Sequence, residues 1–266
     1  MDDTGLWVHE SGDGPRVVLV HGAMDRAGGM LRVRRELMDD HCVVRYDRRG
    51  YGRSLVLGPA TSFDQQVDDL AAVVADRPSV LVGHSFGGVI CLALAERRPD
   101  LARSVLAYEA PRMWEAAWPG MGGDLAGRRP PFDSGENIDP GDAAESMLRR
   151  LIGDDIWERM PASMREERRA EGPALLADLR SVRPPSPPPY TAAALAVPVL
   201  AAHGSEARPH HRRATTELAR VAPRGELAVI EGAGHGAHLS HPAAFAALVR
   251  RAVELADPGA ASEGRR

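Results

Sequence analysis

A short glycine-rich segment constrains the fold of this chain more than any other feature. Gly83–Gly88 reads GHSFGG and matches the pattern G-x-S-x-G. The apolar run Val80–Val82 precedes it, and Val89–Arg97 follows as a predicted helix that stops before Pro99. A serine in this context lies on a sharp turn between strand and helix, where small neighbours let the two elements approach. We therefore expect Ser85 at a helix N-terminus, where the helix dipole favours negative charge.

The remainder of the chain alternates short apolar runs with longer amphipathic segments. This order is typical of a parallel sheet with crossover helices. A helix is predicted after Ser62, with Gln65 three residues on as in a capping box, and a last helix is predicted with Pro242 in its first turn. The predicted fold class is α/β, with a mostly parallel central sheet and helices on both faces. The predicted strands are Leu6–His9, Val17–Val20, Cys42–Tyr46, Ser79–Val82, Ser104–Tyr108, Val197–Ala201 and Glu226–Ile230.

Composition changes after residue 111, and no clear strand pattern returns until about residue 190. Helical spacing is present around Ala143–Leu151 and Pro161–Val182, and residues 184–189 form a proline-rich run. We interpret this stretch as a helical cap or lid inserted after the strand that follows the serine turn. The predicted domains are an α/β core over residues 1–111 and 191–256, a helical cap over 112–190, and a flexible tail over 257–266.

Composition and charge exclude several classes of function. The net charge is −4, and all 33 basic residues are arginine, which excludes a lysine nucleophile or Schiff base. No basic and apolar leader is seen at the start, and no apolar run is long enough to span a membrane. Cys42 and Cys91 lie in apolar stretches and are expected to be buried thiols in a reducing compartment. We expect a cytoplasmic protein with no nucleic-acid or membrane partner; the sequence does not predict its oligomeric state.

Three further segments complete a family pattern. His21-Gly22-Ala23 follows the second predicted strand, DRRGYGRS at 47–54 follows the third, and Gly232–His235 follows the last. Together with the serine turn they resemble the α/β-hydrolase superfamily, in its serine-nucleophile, capped branch. The resemblance extends from about Trp7 to the last helix.

The resemblance implies roles for five residues. His235 is the general base that activates Ser85. The position of His235 in the sequence supports the same role, because a histidine on a glycine-rich loop after a strand can reach a serine at the same edge of the sheet. The oxyanion hole is implied to use the backbone N–H groups of Phe86 and Ala23, with Met24 as the alternate second donor. The 47–54 turn is interpreted as structural.

The other histidines are given structural interpretations. His84 is predicted to support the serine turn rather than transfer protons. His238 is predicted to pack, although a role in shaping the pocket stays open, and His241 abuts the start of the last helix. His210 and His211 are predicted to face solvent.

The acid that completes a triad is where the sequence departs from the common pattern. Many relatives carry an aspartate at the position held here by Ala207, and Glu206 is one residue early. Some place the acid after the strand that follows the serine turn, where this chain has Glu109. Because a carboxylate at the end of the apolar strand Ser104–Tyr108 is costly to leave unpaired, we favour Glu109. Glu206, or no acid at all, stays open as an alternative.

A serine and a histidine in these positions predict acyl transfer through an acyl-enzyme. We expect an ester, lactone or thioester of a medium-sized, largely apolar molecule, with no cofactor and no metal. Two alternatives stay open: a hydrolase-like cyclase or acyl-transfer enzyme of a biosynthetic pathway, and a non-catalytic ligand-binding protein. The residues predicted to line an apolar pocket are Met24, Met113, Trp114, Trp118, Phe132 and Trp157.

Overall fold

A central sheet organises the chain, as the sequence predicts. The computed structural model describes residues 4–115, 118, 138–183 and 186–257. Its seven-stranded sheet has the order β1-β3-β2-β4-β5-β6-β7; β1 is antiparallel to β3, and the other neighbouring pairs are parallel. The strands are β1 (Val8–Ser11), β2 (Arg16–Val20), β3 (Cys42–Tyr46), β4 (Ser79–His84), β5 (Ala102–Tyr108), β6 (Val199–Gly204) and β7 (Gly225–Ile230).

Helices flank the sheet and fill the segment between β5 and β6. They are α1 (Leu31–Leu37), α2 (Phe63–Val74), α3 (Phe86–Arg97), α4 (Pro140–Ile152), α5 (Asp154–Arg159), α6 (Ala162–Arg169), α7 (Gly172–Ser181), α8 (Pro209–Val221), α9 (Ala237–Ser240) and α10 (Pro242–Ala256). Short 3-10 helices cover Gly52–Leu57 and Ala192–Ala194. As predicted, Ser62 caps α2: its hydroxyl accepts a hydrogen bond from the Gln65 N–H at 3.1 Å.

The structure adds detail to the helix prediction. The helical spacing around Pro161–Val182 corresponds to two helices, α6 and α7. Pro173 explains the break, because it has no N–H to donate to the carbonyl of Arg169. Helices α1, α5, α8 and α9 were not predicted, since they are short or carry a largely polar surface.

The core lies on both faces of the sheet. Val18 and Val20 of β2 belong to the cluster packed by α2 and α3, whereas Val17 and Leu19 belong to the cluster packed by α1 and α10. This alternation follows from the two-residue period of a strand. Helix α3 has no polar face and is buried over nearly its whole length, which fixes the residue just before it, Ser85, rigidly against the sheet.

A buried polar cluster ties the helical insertion to the sheet. Asp178 of α7 accepts hydrogen bonds from Arg48 at 2.7 Å, from Gln66 at 2.7 Å and from the Tyr51 hydroxyl at 2.8 Å. Arg48 and Asp178 are both about 2% exposed. The 47–54 turn therefore makes structural contacts of two kinds. Arg48 and Tyr51 bind Asp178 of the insertion, and the Asp47 carboxylate accepts a hydrogen bond from the Arg53 N–H within the turn.

The structure bears on two expectations from composition. Both cysteines are buried and free. Over the described ranges, none of the helices is long and apolar enough to cross a membrane.

Replacing Asp178 with asparagine tests the buried cluster. The variant leaves the Arg48 guanidinium without its charged partner, and we expect a loss of about 3–5 kcal/mol in the free energy of unfolding. Urea denaturation measures the loss. Asp64→Asn, which breaks the exposed pair with Arg97, is the matched control and is expected to change the midpoint little. Equal midpoints for the two variants would contradict the assigned role.

Candidate active site

The backbone at Ser85 is strained in the manner that the sequence pattern predicts. Its φ is 52° and its ψ −122°, a conformation rarely adopted by residues other than glycine. The turn is held by two hydrogen bonds, from the Ser85 N–H to the Tyr108 carbonyl at 2.9 Å and from the Gly88 N–H to the Ser85 carbonyl at 2.8 Å. Strain that persists under such constraint is common at functional sites.

Close contacts explain the glycines on either side of Ser85. A Cβ added to Gly83 would lie 2.4 Å from the Cα of Gly88, and one added to Gly87 would lie 2.3 Å from the carbonyl oxygen of Val20. Both obstacles are backbone atoms that have little room to move. The G-x-S-x-G spacing is therefore a packing requirement of this strand–helix junction.

A buried carboxylate holds His235. Oε2 of Glu109 lies 2.7 Å from Nδ1 of His235, and Oε1 accepts a hydrogen bond from the Gly204 N–H at 3.1 Å. Glu109 is fully buried and directly follows β5. Because an ionised carboxylate only accepts, Nδ1 of His235 carries the proton in this pair, which leaves Nε2 as the acceptor nitrogen.

Glu206 has a different environment. It is exposed on the rim of the cavity described below. Its backbone N–H donates a hydrogen bond to the Ala233 carbonyl at 2.9 Å. Of the two carboxylates considered from sequence, Glu109 is the one bonded to His235.

Ser85 and His235 line one cavity of about 390 Å³ together with Ala23 and Phe86. Of the predicted pocket residues, Met113 and Trp118 line it as well. The remaining described residues of its wall are Pro111, Met147, Arg150, Leu151, Leu179, Glu206, Arg208, His210, His211 and Gly236.

Three predicted pocket residues are elsewhere, so these predictions are wrong. Trp157 is 1% exposed and donates its indole N–H to Glu145, which makes it part of the insertion's interior. Trp114 packs edge-on against Tyr190 and lines a separate surface cavity. Met24 is buried in the core cluster. Phe132 lies outside the described residues.

The loop that carries Ala23 is anchored to the 47–54 turn. Arg48 donates to the carbonyls of His21, at 3.1 Å, and Gly22, at 3.2 Å. Gly22 lies against Ser85, because a Cβ added there would be 3.0 Å from the serine Cβ. Arg48 thus fixes a backbone segment directly beside the serine. Met24 follows with a φ of 55°, and its carbonyl accepts a hydrogen bond from Arg168.

His84 and His238 form a second layer behind the serine. Nε2 of His84 lies 2.8 Å from the carbonyl oxygen of His235, so this nitrogen carries the proton and donates. Burial, followed by the neighbouring His238 and His235, holds the pKa of His84 well below its usual value. His238 is buried and pairs with Asp25, from Nε2 to Oδ2 at 3.1 Å. Both histidines have structural contacts of the kind expected from sequence, and His241 precedes α10 as expected. Asp25 was not foreseen.

His210 and His211 do not face solvent, and that prediction is wrong. Both line the cavity, and the ring of His211 lies 4.7 Å from that of His235. Burial, with His235 as the next cause, lowers the pKa of His211 to about 2. The signal for this position was available, since α8 follows β6 and begins at the same edge of the sheet as Ser85.

Two groups of side chains have ligand atoms within 4.8 Å of one another, close enough to hold a metal ion: Asp25 with His84 and His238, and Glu109 with His211 and His235. In each group one histidine–carboxylate pair is already joined by a hydrogen bond. These bonds account for the clustering without a metal. The expectation of no metal stays a prediction.

With the fold and this geometry in place, the comparisons with known proteins define the class. The model of the Alpha/beta hydrolase family matches residues 17–248. The chain belongs to this family. A solved structure of E-2-(acetamidomethylene)succinate hydrolase superposes with a TM-score of 0.66 over 95% of this chain and 97% of that one, at 22% identity. The enol-lactonase from Burkholderia xenovorans LB400 gives 0.66 over 93% and 96%, at 21% identity. These two likenesses show the fold.

Curated relatives match over a shorter segment. A pimeloyl-[acyl-carrier protein] methyl ester esterase of Chromobacterium violaceum is 37% identical over 116 residues, 43% of this chain and 45% of the relative. A 2-(acetamidomethylene)succinate hydrolase of Mesorhizobium japonicum is 31% identical over 107 residues, 39% of this chain and 38% of the relative. The matches thus span less than half the length of these relatives.

The uncharged histidines predict how stability depends on pH. His21, whose pKa burial lowers to about 4, His84 and His211 stay neutral when folded, whereas in the unfolded chain each takes up a proton near pH 6.5. The unfolded state therefore binds more protons, and stability rises with pH through the window from about 4 to 6.5. We expect each group to cost about 1.4 kcal/mol per pH unit below 6.5.

Urea denaturation at a series of pH values measures this slope. His211→Gln removes one of the three groups and is expected to reduce the slope by about one proton equivalent. An NMR titration that places the pKa of His211 near 6.5 would contradict the assignment.

Proposed function

We propose that this chain is a serine hydrolase that cleaves an ester, lactone or thioester through an acyl-enzyme. One observation carries the proposal: a strained serine and a histidine bonded to a fully buried carboxylate line a single cavity. The family membership and the relatives named as an esterase and a hydrolase support it.

In the proposed reaction His235 is the general base. Its Nδ1 is occupied by Glu109, so Nε2 is the nitrogen that removes the hydroxyl proton of Ser85 as the serine oxygen attacks the carbonyl. A positive charge then develops on His235. Glu109 stabilises this charge and holds the ring in the required tautomer, and Gly204 keeps the carboxylate oriented.

The oxyanion hole is proposed to consist of the backbone N–H groups of Phe86 and Ala23. Phe86 is the first residue of α3, so the helix dipole strengthens the interaction of its N–H with the negatively charged oxygen. Ala23 lies on the loop that Arg48 anchors beside Ser85.

The protonated His235 donates its proton to the leaving group. In the second half of the reaction His235 removes a proton from water, the water oxygen attacks the acyl carbon, and the Ser85 oxygen leaves and takes up that proton.

The helices between β5 and β6 are proposed to act as the cap, with bounds of about 112–190. Met147 and Leu151 of α4 and Leu179 of α7 contribute apolar surface to the cavity. An apolar wall facing a polar catalytic edge suits a small molecule of medium size.

Turnover of a short p-nitrophenyl ester tests the triad. We expect Ser85→Ala to abolish turnover and Glu109→Gln to lower kcat by about four orders of magnitude, because His235 loses its orienting carboxylate. Glu206→Gln is the matched control: it makes the same chemical change on the exposed rim and is expected to retain most of kcat. Equal, small losses in the two glutamine variants would remove Glu109 from the triad.

Product analysis in heavy-oxygen water separates hydrolysis from ring closure or transfer to another acceptor. The proposed hydrolysis incorporates one solvent oxygen into the acid product, because water attacks the acyl carbon. Product that carries no label would favour the cyclase or transferase alternative. Binding without turnover by the wild-type chain would favour a non-catalytic ligand-binding protein.

A further inference from the structure

The active-site cavity has charged side chains in its wall. Among the described residues that line it, these are two guanidinium groups, Arg150 and Arg208, and one rim carboxylate, Glu206. Glu109 does not alter the balance at the rim, because it is buried and already paired with His235. An apolar ester alone gives no reason for cations in the wall of its own pocket.

Arg208 is the cation that the structure leaves without a carboxylate. In the described part of the chain it forms no ion pair, including none with Glu206. Arg208 is exposed and lines the cavity together with His210 and His211, and its positive charge contributes to lowering the pKa of both histidines. Arg150 has other interactions, and Arg208 is therefore the cation considered for ligand binding.

The neighbouring histidines do not supply a counter-charge. Burial, with Arg208 as the next cause, lowers the pKa of His210, and His211 is held neutral at ordinary pH. Neutral imidazoles can donate one hydrogen bond each but cannot neutralise a guanidinium. The part of the cavity wall formed by these three residues therefore combines the positive charge of Arg208 with the neutral imidazole rings of His210 and His211.

We propose that Arg208 forms an anion subsite, and that the preferred substrate carries a free carboxylate in addition to its scissile carbonyl. Arginine binds carboxylates in a planar, two-pronged manner that is stronger than a neutral hydrogen bond. Met147 and Leu179 line the same cavity, so its wall offers apolar contacts to the hydrocarbon part of such a substrate. This inference rests on the proposed hydrolase function and specifies its substrate class.

Paired substrates test the subsite. The p-nitrophenyl monoesters of adipic and suberic acids each have a methyl-capped counterpart of similar length without the charge. We expect the wild-type kcat/KM to favour the free acid by about tenfold or more, mainly through KM, and the preference to weaken as salt is added. Absence of any preference for either chain length would overturn the proposal.

Variants then assign the preference to one residue. Arg208→Gln is expected to reduce the acid-to-methyl-ester ratio at least tenfold, and Arg208→Lys to retain part of it. Arg213→Gln is the matched control, because it removes the same charge from an exposed position of α8 that does not line the cavity. A preference that survives in Arg208→Gln, or that falls equally in Arg213→Gln, would contradict the assignment to Arg208.

A binding measurement separates failure of the subsite from failure of the hydrolase proposal. Calorimetry on the Ser85→Ala chain compares monoethyl adipate with diethyl adipate and needs no turnover. Tighter binding of the monoester, lost on adding Arg208→Gln, supports the subsite even if neither ester is cleaved by the wild-type protein. Equal binding of the two would overturn the subsite while leaving hydrolysis of neutral esters intact.

Discussion

The hydrogen bond between Glu109 and His235 is the interaction on which the rest of the site depends. The two residues are 126 positions apart and meet because β5 and β7 end at the same edge of a parallel sheet. A fully buried carboxylate is costly without partners, and here it has two, the His235 ring and the Gly204 N–H. The pair therefore fixes both the loop after β7 and the tautomer of its histidine.

Two imidazoles next to this pair, those of His84 and His211, are kept uncharged. His84 lies behind the serine and holds the His235 backbone carbonyl, and His211 packs against the His235 ring. Burial lowers the pKa of both, so neither competes with His235 for a proton at neutral pH. In the proposed mechanism the positive charge consequently develops on His235, the imidazole that is hydrogen-bonded to the Glu109 carboxylate.

Local patterns predicted the sheet and the serine turn because both depend on short-range rules. The apolar runs gave all seven strands, and G-x-S-x-G with its flanking elements located Ser85. The position of Glu109 at the end of an apolar strand favoured it over Glu206, and the structure places it on His235.

The cavity wall was predicted less well, because it depends on how the insertion packs over the sheet. Trp114 and Trp157 look like pocket residues by type, yet one packs on Tyr190 and the other inside the insertion. His211 looks like a surface residue by composition, yet α8 begins at the edge of the sheet where Ser85 lies and brings this histidine to the cavity. The most direct test of the central claim is labelling with a serine-directed fluorophosphonate, followed by mass spectrometry of the peptides. We expect one adduct, on the Ser85 oxygen, formed more slowly when Glu109 is replaced by glutamine. An adduct on another residue, or none, would contradict the assignment of Ser85 as the nucleophile.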